Sequence, residues 1–78
     1  MQPITHATQI GASLQARRKS LELSQADVGG RLGLSQNRIS ELENQPQSLT
    51  AEQLLAWLNV LGLELGIRER TGKQKSEW

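Results

Sequence analysis

Apolar residues recur along the first part of the chain at the three- and four-residue spacing of an amphipathic helix. Ile10 and Leu14 are four residues apart, and Leu21 follows seven residues later. This spacing places the three side chains on one face of a helix. Thr8 stands where its hydroxyl can cap the unpaired backbone N–H groups of the first turn. We therefore predict a first helix over residues 8–20.

Three further helix starts share one sequence pattern, a leucine followed by a serine or threonine. They are Leu23-Ser24, Leu34-Ser35 and Leu49-Thr50. The hydroxyl group can accept a hydrogen bond from the N–H groups of a helix start, and the leucine can pack against the fourth residue of the helix. Asp27 and Gln53 complete capping boxes at the first and third of these starts.

Glycine and proline mark where these helices end. Gly33 can adopt the left-handed conformation that ends a helix, the residue before Pro46 avoids the helical region, and Gly62 follows the last helical segment. The predicted helices are residues 25–32, 36–44 and 51–61. Gly29-Gly30 lies inside the second of the four helices, where each glycine costs about 1 kcal/mol relative to alanine. A glycine there is tolerable if two backbones approach closely at that point.

The apolar period changes to two residues after the fourth helix. Leu63, Leu65 and Ile67 alternate with polar residues or glycine, which predicts a short strand over residues 63–69. A single strand leaves its backbone groups unpaired, so we predict that it pairs with the same strand of a second copy. An irregular tail packed on the fourth helix is the alternative. Residues 70–78 are predicted to form a flexible C-terminal tail.

The composition narrows the class of protein. The chain has 78 residues, no cysteine and one histidine, His6, which excludes a disulfide framework and a thiolate metal site. A core this small is marginal by itself, so we expect one domain that relies on a second copy. No apolar run approaches the ~20 residues of a membrane span, and the N-terminal residues lack the features of a secretory signal. We expect a cytoplasmic protein without a cofactor or metal.

Charge is divided unevenly along the chain, although the formal net charge is only +1. Residues 1–40 hold five basic and two acidic side chains, and residues 41–64 hold four glutamates and no base. Residues 65–78 hold four basic and two acidic side chains. A basic front half suits a module that turns one face to a polyanion. Chance clustering in a short chain is the alternative.

A short helix, a glycine-containing turn and a second short helix make a helix-turn-helix. The segment LSQADVGGRLGLSQNRISELEN closely resembles that motif in lambda-repressor-like proteins, the Cro/C1 or XRE family. The shared residues are Ser24-Gln25, Val28-Gly29, Gly33, Ile39 and Leu42-Glu43-Asn44. The chain departs from the family at Gly29-Gly30, where alanine and a polar residue are usual. The resemblance covers about residues 9–62 and implies an all-α, four-helix DNA-binding domain at residues 8–62, after an N-terminal arm at residues 1–7.

Within that family the chain is similar to HipB-type antitoxins, the partners of HipA-type serine/threonine kinase toxins. Thr8-Gln9-Ile10 stands at the matching distance before Ser24-Gln25, and the block ENQPQSLT leads to a last helix and then to LGLELGI as a single strand. The chain ends in Glu77-Trp78, as the best-known member does. The resemblance implies that Trp78 anchors in a pocket of the kinase, since buried aromatic residues carry much binding energy. An idle chain end is the alternative.

The start of the third helix carries the side chains predicted to read DNA bases. Gln36, Asn37 and Ser40 lie opposite the apolar Ile39 and Leu42. The amides of Gln and Asn can pair bidentately with adenine, and Ser can donate or accept. The resemblance places these positions in the major groove. Ordinary solvation of a polar helix face is the alternative.

Five residues are predicted to contact DNA phosphates: Gln25, Ser35, Arg38, Arg17 and Arg18. Gln25 opens the second helix, where its amide and the backbone N–H groups favour a phosphate oxygen, and family members commonly use this glutamine so. Ser35 caps the third helix and can also touch DNA. The arginines neutralise phosphate charge, which supplies much of the non-specific affinity. Simple solvation of a surface arginine is the alternative.

The fourth helix is more apolar than a small monomer needs. Its apolar face consists of Leu54, Leu55, Leu58 and Leu61, and Trp57 and Val60 widen it. The predicted dimer interface comprises Trp57, Val60, Leu63, Leu65 and Ile67, with burial in the internal core as the alternative for the helical residues. A two-fold dimer would set its recognition helices about 34–36 Å apart, one turn of DNA, and so predicts a palindromic operator.

Together these features predict a dimeric, sequence-specific repressor that also serves as the antitoxin of a HipA-type kinase and represses its own operon. A solitary XRE or phage-type repressor without a toxin, and a protein-interaction scaffold without DNA affinity, are the alternatives.

Glu41 and Glu43 stand two apart on a helix and face different directions, and His6 has no acid or nucleophile fixed beside it. We therefore predict no catalytic residue and no enzymatic activity.

Overall fold

The computed structural model describes residues 3–70, and this part of the chain is all-helical. The helices are α1 (Ala7–Ser20), α2 (Gln25–Leu32), α3 (Gln36–Asn44) and α4 (Ala51–Val60), with a 3-10 turn at Pro46–Ser48. The predicted bounds of α2 and α3 are confirmed, α1 begins one residue earlier than predicted, and α4 ends one residue earlier. None of the helices described is long and apolar enough to cross a membrane.

The start of α1 differs from the prediction. Thr8 lies inside the helix, and His6 is the N-cap residue. The side-chain Oε1 of Gln9 reaches back and accepts hydrogen bonds from the backbone N–H groups of Thr5 at 2.6 Å and of His6 at 2.9 Å. A glutamine at the third helical position therefore organises this start, as in the second half of a capping box.

The other three helix starts confirm the predicted caps. The Ser24 hydroxyl accepts from the Asp27 N–H at 2.9 Å, and the Thr50 hydroxyl accepts from the Gln53 N–H at 3.0 Å. The Ser35 hydroxyl accepts from the backbone N–H of α3 in the same manner. In the first two of these starts the return hydrogen bond is also present, so both capping boxes are complete.

Helices α1 and α4 end in the same way, with one residue in the left-handed region. The Leu63 N–H donates to the Leu58 carbonyl at 2.8 Å, and Gly62 has a φ of 71°. At the end of α1 the corresponding position is Glu22, with a φ of 59°. This Schellman arrangement satisfies carbonyls that a helix end leaves unpaired, but a non-glycine residue pays for it in backbone strain.

The core lies where the four helices meet. Its fully buried side chains are Leu14, Val28, Ile39, Leu42, Trp57 and Leu61. This corrects the prediction for Trp57, which is not at a dimer surface because its indole fills the centre of the single chain. The indole Nε1–H has no acceptor among the described residues. Val60 is half-buried against the same core.

The segment after α4 has no regular secondary structure within residues 63–70 of this single chain. Leu63 packs against the core, whereas Leu65 is 54% exposed and Ile67 is 94% exposed. The predicted strand is therefore absent from the isolated chain, where a lone strand would have no partner for its backbone groups. Trp78, the predicted toxin anchor, lies outside the described residues.

Candidate nucleic-acid interface

The turn between α2 and α3 requires two glycines for different reasons, one for its backbone conformation and one for its lack of a side chain. Gly33 ends α2 in the left-handed conformation, with a φ of 73°. Gly29, inside α2, lets the turn approach closely, because a Cβ there would lie 2.5 Å from the carbonyl oxygen of Leu34. The same added atom would lie 3.4 Å from Cγ1 of Ile39 in α3. The close approach expected of this glycine pair is thus made by the turn backbone at Gly29, while Gly30 has open space around it.

The first turns of α3 present the side chains predicted to read bases. Gln36 and Asn37 are exposed, and Ser40 is half-buried beside them. On the opposite side of the helix, Ile39 and Leu42 are fully buried in the core. Burial of that apolar side fixes the rotation of the helix about its axis, so the two amides are held towards solvent.

Two predicted phosphate contacts flank these amides. The Ser35 hydroxyl accepts from the Arg38 N–H at 3.1 Å, which leaves its own proton available to an acceptor oxygen. The Arg38 guanidinium forms an ion pair with Glu41 at 3.2 Å, and the two side chains are 43% and 66% exposed. Such an exposed pair contributes at most about 1 kcal/mol, so Arg38 can exchange Glu41 for a phosphate.

Arg18 does not occupy the position predicted for it. The residue is only 7% exposed, and its Nε and Nη2 donate to the two carboxylate oxygens of Glu43 at 2.7 and 3.2 Å. Its Nη1 donates to the Leu23 carbonyl at 2.9 Å. This guanidinium is committed inside the molecule and is removed from the predicted phosphate contacts.

Gln25 lies at the first position of α2, where the helix N–H groups have no intrahelical acceptor. Its side chain is half-buried, and Nε2 donates to Oε1 of Glu43 at 3.1 Å. The Glu43 carboxylate therefore receives hydrogen bonds from both α1 and α2. Glu43 belongs to the motif shared with the family, but the sequence indicates no role for it, because nothing local to α3 distinguishes a buried glutamate from an exposed one.

Arg17 of α1 is half-buried, and its side chain reaches the end of α4. Its Nε donates to the Leu61 carbonyl at 2.9 Å. A cation at a helix C-terminus interacts favourably with the helix dipole, so Arg17 stabilises the end of α4. Within residues 3–70 its two terminal nitrogens make no hydrogen bond, and the phosphate contact of this residue stays a prediction.

The start of α2 carries the clearest electrostatic perturbation in the described chain. The backbone N–H of Ser24 donates to the Asp27 carboxylate at 2.9 Å. This hydrogen bond, aided by the Ser24 hydroxyl and by the nearby charge of Arg31, lowers the pKa of Asp27 below its ordinary value. Asp27 therefore stays ionised near neutral pH and holds the capping box together.

Comparison with known proteins bears on the same part of the chain. The family model described as Helix-turn-helix matches residues 14–67, more than half of the sequence. The matched span begins inside α1 and includes the whole of α2, α3 and α4. The curated proteins and the solved structures give no match.

Proposed function

We propose that this chain, which belongs to the XRE-type helix-turn-helix family of DNA-binding transcription regulators, is a dimeric repressor that reads a palindromic operator. The observation that carries the proposal is the exposure of Gln36 and Asn37 on the first turn of α3, directly after a capped turn. In a helix-turn-helix the N-terminal residues of the second helix contact base edges in the major groove. The family is one of regulatory domains rather than of enzymes.

Base reading is assigned to Gln36, Asn37 and Ser40. A Gln or Asn amide offers one donor and one acceptor side by side, which matches the N6 and N7 edge of adenine. Each good bidentate pair is worth about 1–3 kcal/mol of discrimination. Ser40, half-buried beside them, adds a hydroxyl that tolerates either a donor or an acceptor.

Phosphate contacts are assigned to Gln25, Ser35, Arg38 and Arg17. Only the last two carry charge, which makes four cationic contacts in a dimer. The dependence of log K on log salt has a slope of about −0.9 for each phosphate neutralised, so we expect a slope of about −3.6. Inclusion of the buried Arg18 would raise the expected slope to about −5.4.

Dimerisation is assigned to the apolar residues at and after the end of α4: Val60, Leu63, Leu65 and Ile67. Ile67 is 94% exposed in the single chain, which is unfavourable for an isolated apolar side chain. Pairing of residues 63–69 with the same segment of a second copy would bury these side chains and satisfy the backbone groups of both strands. A two-fold axis there would also present two copies of α3 to one face of a duplex.

We further propose that the partner of the repressor is a HipA-type kinase toxin, with Trp78 as an anchor in the kinase. The proposal is supported by the resemblance of Thr8-Gln9-Ile10, of ENQPQSLT and of LGLELGI to HipB-type antitoxins. Co-expression with a HipA-type kinase encoded beside its gene, followed by co-purification, tests it. A stable complex that is weakened by Trp78→Ala is expected. Failure of the two proteins to associate would leave a repressor without a toxin.

DNA binding is tested by fluorescence anisotropy with the DNA upstream of the gene and with a scrambled duplex, each at several salt concentrations. We expect the double variant Gln36→Ala/Asn37→Ala to lose at least about tenfold in preference for the operator. Asn59→Ala, which removes an exposed amide from α4, is the matched control and should retain the preference. Equal binding of the wild type to both duplexes would refute base reading, and no binding at all would favour the protein-interaction scaffold.

A further inference from the structure

A buried polar cluster joins the three helices that surround the candidate interface. Glu43 of α3 accepts from Nε and Nη2 of Arg18 in α1 and from Nε2 of Gln25 in α2. Arg18 also donates to the carbonyl of Leu23, in the connection between α1 and α2. Gln25 is the member of this cluster to which the proposed function gives a DNA contact.

We propose that Glu43 is a positioning residue for DNA, which holds the Gln25 amide with one N–H directed inward and the other left for a phosphate. The inference rests on the proposed function. An ionised carboxylate can only accept hydrogen bonds, so it selects the nitrogen of the Gln25 amide and rejects its oxygen. A phosphate oxygen is likewise an acceptor, and it requires the remaining N–H of that same nitrogen.

Arg18 makes this arrangement compatible with a polyanion nearby. The side chain of Glu43 is 2% exposed and that of Arg18 is 8% exposed. The guanidinium engages both carboxylate oxygens in the side-on geometry that is strong and directional. The negative charge of Glu43 is therefore offset locally, and the cluster presents a neutral hydrogen-bond donor to the phosphate.

The backbone of Glu43 also packs closely against α1. A Cβ at Gly11 in α1 would overlap the carbonyl oxygen of Glu43, and it would lie 3.1 Å from Cγ of Pro46. The end of α3 thus rests directly on the α1 backbone. Because both the backbone and the carboxylate of Glu43 contact α1, the contacts that hold α3 against α1 also place the acceptor of the Gln25 amide.

The alternative is that Arg18 and Glu43 only stabilise the fold. The two possibilities differ in how a change in the pair combines with the removal of Gln25. If Glu43 acts through Gln25, the two effects on DNA affinity are not additive, and if it acts only on the fold they are. Ordering of one long side chain changes affinity by about two- to tenfold, which sets the size of the effect to be measured.

The test is a double-mutant cycle between Arg18→Met/Glu43→Leu and Gln25→Ala, measured by anisotropy on the operator and on a scrambled duplex. The apolar replacement removes both charges together, because loss of one partner alone leaves a buried charge unpaired. We expect the apolar pair to lower affinity by about fivefold or more on both duplexes, with the salt slope unchanged. In the Gln25→Ala background the same replacement should lower it less than about twofold.

Equal losses in the two backgrounds would overturn the positioning role and leave the proposed function intact. Absence of DNA binding by the wild type would overturn both. Circular dichroism checks that each variant is folded. If the apolar pair unfolds the chain, NMR of the wild type decides the question, since the Gln25 side-chain NH2 should show one ordered rotamer with restricted motion. A freely rotating amide there would contradict the inference.

Discussion

The two adjacent glycines of α2 offer a test of how the turn is built. Gly29 and Gly30 occupy consecutive interior positions of one helix, yet their surroundings differ. A Cβ at Gly29 would lie 2.5 Å from the Leu34 carbonyl oxygen, whereas a Cβ at Gly30 would meet nothing within 4 Å. The variants Gly29→Ala and Gly30→Ala therefore make the same chemical change with and without a backbone clash.

The expected magnitudes follow from this difference. Alanine is favoured over glycine in a helix interior by about 0.8–1.0 kcal/mol, so Gly30→Ala should raise the free energy of unfolding by about that amount. Gly29→Ala gains the same helix propensity and loses about 1–3 kcal/mol to overpacking, because a carbonyl oxygen cannot rotate away as a flexible side chain can. Since the propensity gain is common to both variants, the difference between them measures the clash alone.

Thermal unfolding at one protein concentration measures this difference. A gap of about 2 kcal/mol corresponds to roughly 8–16 °C in Tm for a domain of this size. DNA anisotropy adds a second readout, because displacement of Leu34 moves the start of α3, so Gly29→Ala should weaken operator binding and Gly30→Ala should not. Equal stability of the two variants would refute the argument that close approach of the turn requires glycine at position 29.

Two further predictions concern the ends of the helices. Glu22→Gly should raise the free energy of unfolding by about 0.5–1 kcal/mol, because relief of about 1–2 kcal/mol of left-handed strain exceeds the entropic cost of glycine; a lower Tm would contradict the Schellman assignment. Asp27→Asn should make the free energy of unfolding less dependent on pH in the acidic range. The pKa of Asp27 is lowered in the folded chain, so its contribution is complete above about pH 4 and is lost as the pH falls through the lowered value. Urea titrations at a series of pH values should show the wild type losing stability more steeply below about pH 4 than the variant.

The helix boundaries could be predicted from the sequence because they are decided locally. A capping hydroxyl, the residue three positions later and the glycine after the last turn lie within one helical segment, so their identities alone specify the hydrogen bonds. Ser24 with Asp27, and Thr50 with Gln53, form the predicted pairs. The predicted start of α1 is wrong by one residue. The capping side chain there is Gln9, which lies inside the helix, and the N-cap residue His6 has no hydroxyl group that would mark the start in the sequence.

The candidate site was only partly predictable, because its remaining features depend on residues far apart in the chain. The sequence places Gln36 and Asn37 on the polar side of α3, and their exposure follows from burial of Ile39 on the other side. Arg18 and Glu43 are 25 residues apart, and nothing near either residue indicates that they meet inside the molecule. From the sequence alone, Arg18 is therefore predicted to be a surface cation.

Because Arg18 is buried and not on the surface as predicted, the proposed interface has one cation fewer in each copy with which to bind DNA. Arg18 forms a buried ion pair with Glu43, and Arg38 forms an exposed ion pair with Glu41. The Nε of Arg17 donates a hydrogen bond to the carbonyl at the end of α4. Because all three of these arginines have partners within the protein, neutral donors such as Gln25 and the hydroxyl groups would carry a larger part of the phosphate contacts. Hydrogen bonds from fixed neutral donors depend on geometry and only weakly on salt. The affinity of such an interface would rest on how rigidly the helices hold those donors, which is what the buried Arg18–Glu43 pair and the close packing at Gly29 provide.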